Sequence, residues 1–360
     1  MNDKHIKYLD IAHTLAQKKF GSTFPNPIVG CLIVKNNKII AKAVTAPEGR
    51  PHAEEIALKK ANKMTKGATM YVTLEPCFHQ SRNGSCVDQI LRSGITEIYI
   101  AKYDPDLRTN RKSINKLKDN KIITSVGLTE NKTNSLNKFF FESLKNNRPY
   151  IKVKMAISED QKIAWSNYQS KWISNSKSRE FAHKIRFSSQ AILTTAKTII
   201  KDNPRFTVRR NNRIIKYLPI IIIDNLLKIP LKSNILKDNS KKRIIIFTST
   251  NNKKTEFLRR FGCEIILLKN KKYNELNLKT ITNKIYALKI NDVLVEAGGI
   301  LFSNLIKHKL VDEIHVFTAP FNIGRSGKPM IIGKKLEEIN IQEVLNKKFG
   351  KDIYQYFLIK

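Results

Sequence analysis

The sequence predicts an α/β protein of two domains, and three observations carry that expectation. At 360 residues the chain is long enough to build two separate cores. Strand-like apolar runs alternate with amphipathic helical stretches, the pattern of sheets covered by helices. Around Lys145-Asn146-Asn147-Arg148-Pro149 that pattern breaks and restarts with the strand-like YIKVKMAIS, which places a boundary between residues 1–146 and residues 147–360.

In the first part, residues 4–19 put Ile6, Leu9, Ala12, Leu15 and Ala16 on one side of a helix. The segment lacks the apolar stretch of a signal peptide and is read as a domain helix. PNPIVGCLIVKNNKIIAKAV gives two strands around a Lys35-Asn36-Asn37-Lys38 turn. A helix begins near Ala53, TMYVTL (69–74) is a short buried strand, and a second helix begins near Cys86. The strand TEIYIAKY, a helix near 114–117 and the strand KIITSVG complete the unit. In the second part, helices are expected at 177–187, 196–201, 253–260, 275–289 and 300–307. They alternate with the strands AILTT, YLPIIIID, RIIIFTS, CEIILL, DVLVE and EIHVFTAP, so parallel strands joined by crossover helices are expected.

Chemistry concentrates between His52 and Cys86. His52-Ala53-Glu54 stands at a helix start, Pro76-Cys77 follows a strand, and Cys86 opens the next helix. One imidazole and two thiolates leave a tetrahedral zinc one open position, the arrangement of a catalytic site. Glu54, two residues after the histidine, is placed to take a proton from a water there and pass it to a leaving group. H-x-E followed by P-C and a second Cys is the signature of a zinc deaminase. Base deaminases commonly space the cysteines as C-x-x-C, whereas eight residues separate Cys77 from Cys86. In the second part, VEAGGILFSNLI (295–306) reads as a strand ending in an acid, a Gly pair and a helix, which would let a phosphate-bearing ligand approach backbone amides. PFNIGRSGKP (320–329) is a second Gly-rich loop that either faces the same ligand or lies on the surface.

A formal charge of +36 would ordinarily suggest nucleic acid, but the lysines are scattered and travel with Asn and Ile in segments such as NNKK and KDNSKKR. That is the look of a chain-wide bias over solvated surfaces, so no nucleic-acid partner is expected, and a phosphorylated substrate needs only a few of these charges. The other two cysteines, Cys31 and Cys263, sit in apolar strands, which fits a reduced, cytoplasmic protein better than a disulfide framework. No apolar run approaches the roughly 20 residues of a membrane span.

With H-A-E and P-C-x8-C in the first part, and SKWIS, DNPRFTVR and VEAGG in the second, the chain resembles the bifunctional riboflavin-biosynthesis deaminase-reductases over nearly its whole length. The resemblance implies an N-terminal cytidine-deaminase-like α/β/α domain followed by a dihydrofolate-reductase-like α/β domain. It implies Zn2+ and NADPH as cofactors. The expected substrate is a small phosphoribosyl-pyrimidine, 2,5-diamino-6-(5-phosphoribosylamino)pyrimidin-4(3H)-one, deaminated at its 2-amino group and then reduced from ribosyl to ribityl. By the same resemblance Asn26, in the T-x-P-N-P segment, holds the pyrimidine edge, while Ser170, Arg186, Phe206, Arg209 and Glu296 contact the phosphoribosyl substrate. Ala156, Trp172, Thr198, Asp202, Asn225, Gly298, Gly299, Ile300, Leu301, Phe302, Ser303 and Asn304 contact NADPH. Arg186 and Arg209 can each form bidentate pairs with a phosphate. A homo-oligomer is left open.

The chain departs from the family pattern around the first pocket. Thr45 stands where a substrate-side His is expected, HQSRNGSC keeps only His79 and Arg82 of the usual intervening segment, and DPDLRTNRK replaces a D-P-N-P run. In the second part SEDQK keeps Ser158, Asp160 and Lys162 but lacks a Gly. Two rival readings remain. One is a tRNA or nucleoside deaminase with an accessory α/β domain. The other is an RNA-binding protein whose zinc is purely structural, closed by His79 as fourth ligand.

Overall fold

The computed structural model describes residues 2–79, 84–167, 173–237, 239–269 and 276–360. Arg82, Ser170 and Trp172 therefore lie outside the described residues. The chain divides into two compact units, Met1–Asn147 and Arg148–Lys360.

The first unit runs α1 (Asn2–Gln17), β1 (Gly30–Lys35), β2 (Lys38–Val44), α2 (Ala53–Ala61), β3 (Thr69–Val72), α3 (Cys86–Ser93), β4 (Glu97–Ile100), α4 (Lys112–Asp119), β5 (Ile123–Val126), α5 (Glu130–Leu136) and α6 (Lys138–Asn146). Its five strands lie in the order β2-β1-β3-β4-β5. β1 is antiparallel to β2 and β3, and β3, β4 and β5 are parallel. The β1–β2 turn works because Asn36 and Asn37 both take positive φ, 49° and 59°, which Asn tolerates better than most residues. Leu32 and Tyr71 on one face pack with Leu9 and Ala12 of α1. Ile33, Met70 and Val72 on the other pack with Ala57 of α2 and Val87 and Ile90 of α3. The result is a sheet between two helical layers. A Cβ on Gly30 would meet the Ala12 carbonyl oxygen at 2.0 Å, so α1 can lie this close to β1 only over a glycine.

The second unit runs β6 (Tyr150–Ser158), β7 (Lys162–Ala164), α7 (Ser176–Phe187), β8 (Ala191–Thr195), α8 (Ala196–Asp202), β9 (Thr207–Arg210), β10 (Arg213–Tyr217), β11 (Ile220–Ile223), α9 (Asn234–Lys237), β12 (Ile244–Thr248), α10 (Lys253–Arg260), β13 (Cys263–Leu267), α11 (Leu278–Ala287), β14 (Asp292–Val295), α12 (Gly299–Lys307), β15 (Glu313–Ala319), β16 (Lys328–Pro329), β17 (Ile341–Phe349) and β18 (Asp352–Ile359). Nine strands form one sheet in the order β13-β12-β11-β8-β14-β6-β15-β18-β17. Ile220, Ile221 and Ile222 are fully buried, as a central parallel strand covered on both faces requires, and each contributes about 1.5–3 kcal/mol.

The expectation of parallel strands throughout fails at one edge. β15–β18 and β18–β17 are antiparallel. β17 offered no apolar signal because none of its nine residues is buried. The hairpin nevertheless anchors α7: Asp352 Oδ2 accepts from the Asn175 backbone N–H at 2.8 Å and from Ser178 Oγ at 2.6 Å, and Tyr354 packs edge-on against Phe181 at 4.9 Å.

Candidate active sites

In the first unit three local rules bring the metal-binding side chains together. His52 is the N-cap of α2, with φ −71° and ψ 160°, and Cys86 is the first residue of α3, whose N-cap Ser85 accepts from the Asp88 N–H at 3.2 Å. Cys77 lies beyond β3 on an extended segment tied to the end of β4 by the Glu75 N–H to the Lys102 carbonyl. One donor atom from each of His52, Cys77 and Cys86 lies within 4.8 Å of the others. His52 Nδ1 is 3.3 Å from Cys86 Sγ, and the Cys86 backbone N–H points at Cys77 Sγ from 3.4 Å. Ligands at zinc distances around one tetrahedral ion would be separated by about 3.6–3.8 Å, so this borderline-soft donor set fits Zn2+ with little movement. His79 is not a member of the cluster, so among the described residues nothing supplies the fourth protein ligand that a closed structural zinc needs.

The electrostatics agree with that fit. The Cys77 thiol is pulled down to about 3, first by the hydrogen bond from Cys86 and, against burial, by His52, whereas Cys86 is driven well above the usual thiol range by the same hydrogen bond and by burial. Both sulfurs bind a metal as thiolates, so a cation entering the site would displace any proton the pair carries. Glu54 is 3% exposed in the first turn of α2; burial pushes its carboxyl up to about 7, with His52 pulling it back and Cys77 adding to the rise. Glu55, which sequence reasoning passed over, accepts the His52 backbone N–H at 3.0 Å and pairs with Arg50 at 3.3 Å. Its signal was available: a Glu three residues after a helix N-cap.

Around the triad, the departures from the family pattern have structural occupations. Thr45 Oγ1 accepts the Val29 N–H at 3.0 Å, so its hydroxyl extends the β1–β2 pairing. Asn26 donates from Nδ2 to the Gly49 carbonyl at 3.0 Å, which leaves Oδ1 for a ligand. Gly49 has φ +85°, and a Cβ there would lie 2.6 Å from Asn26 Nδ2. The 104–111 loop hangs on Glu75, whose Oε2 accepts from the Asp104 and Arg111 backbone N–H groups at 3.1 Å each.

In the second unit a cleft of about 1280 Å³ opens at the carboxyl ends of β8, β11 and β14, where ligands bind in open parallel sheets. It exceeds the roughly 300–1,000 Å³ of a pocket for one ligand, so a cofactor and a substrate fit side by side. Its walls include Ala156, Thr198, Asp202, Asn225, Gly298, Gly299, Ile300, Leu301 and Asn304, and also Arg186, Phe206, Arg209 and Glu296. Two expected contacts do not line it. Phe302 is 1% exposed in the core, and Ser303 Oγ donates to the Gly299 carbonyl at 2.7 Å while accepting the Ile332 N–H at 2.8 Å. The Gly pair is also divided in its duties: a Cβ on Gly299 would strike the Pro329 carbonyl oxygen at 2.4 Å, whereas Gly298 meets nothing closer than Ile163 at 3.9 Å. Gly299 serves packing, and Gly298 is the one open to a ligand.

The phosphate clamp expected of Arg186 is turned on the protein itself. Its Nε and Nη2 donate to Glu296 Oε1 and Oε2 at 2.7 and 3.0 Å, and Nη1 donates to the Thr207 carbonyl at 2.6 Å. Lys154 Nζ reaches Glu296 Oε2 at 3.3 Å. Burial raises the Glu296 carboxyl, but Arg186 and Lys154 outweigh it and hold the group far below the usual carboxylate range. Lys154 was missed in the sequence, although Lys152 and Lys154 at alternate positions of an otherwise apolar strand were a visible irregularity. Arg209 turns its Nε to Thr207 Oγ1 at 3.0 Å, and its backbone N–H donates to His183 Nδ1 at 3.2 Å.

Comparisons with known proteins cover both units. Residues 2–102 match the cytidine and deoxycytidylate deaminase zinc-binding region, and residues 149–354 match the RibD C-terminal domain. The riboflavin biosynthesis protein RibD of Aquifex aeolicus is 36% identical over 358 residues, covering 97% of each chain, and that of Escherichia coli is 30% identical over 350 residues, covering 94% of this chain and 93% of its own. Among solved structures, Acinetobacter baumannii RibD superposes with a TM-score of 0.90 at 28% identity over 99% of both chains. A Thermotoga maritima diaminohydroxyphosphoribosylaminopyrimidine deaminase/5-amino-6-(5-phosphoribosylamino)uracil reductase gives 0.85 at 27% over the same share. The zinc-type triad with its buried glutamate, the two-ligand cleft and these matches along the whole length together make the chain a member of the RibD family, the bifunctional deaminase-reductases of riboflavin biosynthesis.

Proposed function

We propose that residues 1–146 hydrolyse the 2-amino group of 2,5-diamino-6-(5-phosphoribosylamino)pyrimidin-4(3H)-one and that residues 147–360 reduce the ribosyl group of the product to ribityl with NADPH. The observation that carries the first half is the three-donor cluster with Glu54 buried beside it. Zn2+ held by His52, Cys77 and Cys86 would lower the pKa of a water toward neutrality. Glu54 accepts a proton from the attacking water and returns it to the departing nitrogen, so that a C–O bond forms, the C–N bond breaks and ammonia leaves. Asn26, fixed through Gly49, offers Oδ1 to a donor on the pyrimidine edge.

In the second half NADPH would supply the hydride, and the overall change adds a hydride and a proton across the ribosyl C1′–O4′ bond. Gly298 leaves the opening of α12 free for the cofactor diphosphate, and Arg209 faces the phosphoribosyl end. Arg186 holds Glu296 ionised and aimed into the cleft. No helix among the described residues is long and apolar enough to cross a membrane. The direct test is incubation with the diaminopyrimidine substrate with and without NADPH, reading products by mass. A one-unit mass gain without NADPH and a further two-unit gain with it are expected from the two reactions. No change under either condition would refute the proposal.

Two further outcomes follow from the architecture. Cys86→Ala removes a ligand and is expected to bring bound zinc to less than about one-tenth of the parent, while Cys31→Ala retains it, as metal analysis would read. Full occupancy in the Cys86 variant would exclude this triad. Residues 148–360 expressed alone are expected to fold and reduce the aminouracil substrate, unaffected by chelators. Arg148 would keep its paired hydrogen bonds to Asp312 at 2.7 and 2.8 Å. A folded but inactive fragment would mean that the first unit lends groups to the second site.

A further inference from the structure

We propose that His183 is a further substrate-contacting residue of the reductase cleft, its Nε2–H donating to the phosphate of the phosphoribosyl chain. This rests on the reductase reading above. The tautomer follows from geometry. His183 Nδ1 accepts the Arg209 backbone N–H, so Nδ1 carries the lone pair and the hydrogen of the neutral ring sits on Nε2. Burial, with Arg186 next, lowers the ring to about 4 and keeps it neutral near physiological pH. The ring is half-buried and lines both the large cleft and an adjoining cavity of about 240 Å³. Among the described residues Nε2 has no hydrogen-bond partner, so a directed donor faces space where a ligand can sit.

The charges nearest the ring select the ligand. Of the groups that act on His183, Lys154, Arg186 and Arg209 stand against one carboxylate, Glu296, and Arg179 lines the adjoining cavity. This positive surplus suits a phosphate monoester, which carries about −1.5 to −2 near neutral pH. With the Arg186 fork occupied by Glu296, Arg209 needs a second donor beside it to bind a phosphate from two sides. His183 is joined to the Arg209 main chain itself and supplies that donor without adding charge.

Two variants of the full chain separate this role from a purely structural one. His183→Asn keeps an acceptor near the Nδ1 position and removes the Nε2 donor. His183→Gln reaches the Nε2 position with an amide donor and gives up the Nδ1 acceptor. His183→Asn is expected to raise the KM for the aminouracil substrate about tenfold with kcat within about twofold, and His183→Gln to restore KM to within about threefold of the parent. NADPH binding, read by its fluorescence, stays unchanged in both. Calorimetry with ribose 5-phosphate and ribose adds a readout free of turnover: the preference for the phosphorylated sugar should fall in His183→Asn and return in His183→Gln. A parent-like His183→Asn, or the two variants equally impaired, would overturn the proposal, the second outcome making the ring a latch on β9. If the parent itself fails to reduce the substrate, the functional reading falls, and the sugar titrations still decide whether His183 holds a phosphate.

Discussion

Replacing Glu54 by Gln is expected to cut ammonia release by at least about 100-fold while zinc stays bound and the reductase rate is unchanged. The carboxylate is 3% exposed in the first turn of α2, two residues from the ligand His52 and outside the three-donor set itself. Its amide isostere keeps the shape and the helix start but cannot take a proton from water and return it. Because the ligands stay, a loss through metal release would show in the zinc content. Because the second unit has its own core, a loss through misfolding of the whole chain would show in NADPH oxidation. A variant that still releases ammonia at near the parent rate would mean that another group moves the proton.

The second large effect is expected at Arg186. Arg186→Ala strips Glu296 of a two-point ion pair in a site where the carboxylate is only 9% exposed, leaving Lys154 at 3.3 Å as its remaining cation. Breaking a buried pair from one side costs about 3–5 kcal/mol, which for a unit of this size lowers Tm by roughly 6–20 °C. The reductase kcat/KM should fall at least about tenfold as well. Adding Glu296→Gln to Arg186→Ala should recover more than half of the lost stability, because the uncompensated charge is gone. The pH dependence has a fixed sign: a carboxyl held below its ordinary value stabilises the fold above about pH 4.3, and that contribution is lost as pH falls toward the folded value. The double variant should therefore lose part of the acid-side slope in urea melts. An Arg186→Ala protein with parent Tm would show that the pair is dispensable.

The sequence exposed whatever is encoded locally. His52, Glu54, Cys77 and Cys86 were readable because residue type, spacing and helix starts coincide within one stretch. The Asn36-Asn37 turn and the isoleucine runs of β11 and β12 were readable for similar reasons. What escaped depends on distant partners. Arg186 and Glu296 are 110 positions apart, so nothing local reveals that the arginine pairs with this carboxylate. His183 looks like any helical histidine until β9 arrives beside it. α5 and α6 drew no assignment because their apolar faces are short, and β17 drew none because its side chains are all at least partly exposed.

The hairpin of residues 341–359 also sets an order of events during synthesis. His52, Cys77, Cys86 and Glu54 all lie in the compact unit Met1–Asn147, which can close while the ribosome is still translating the rest. The reductase cleft cannot, because the start of α7, which bears His183 and Arg186, is held by Asp352 through Asn175 and Ser178, and its Phe181 packs edge-on against Tyr354. At about 5–20 residues per second those groups emerge roughly 10–40 s after the first unit. During that interval α7 lacks the hairpin it packs against, so the second unit is expected to close only after residues 341–359 have emerged.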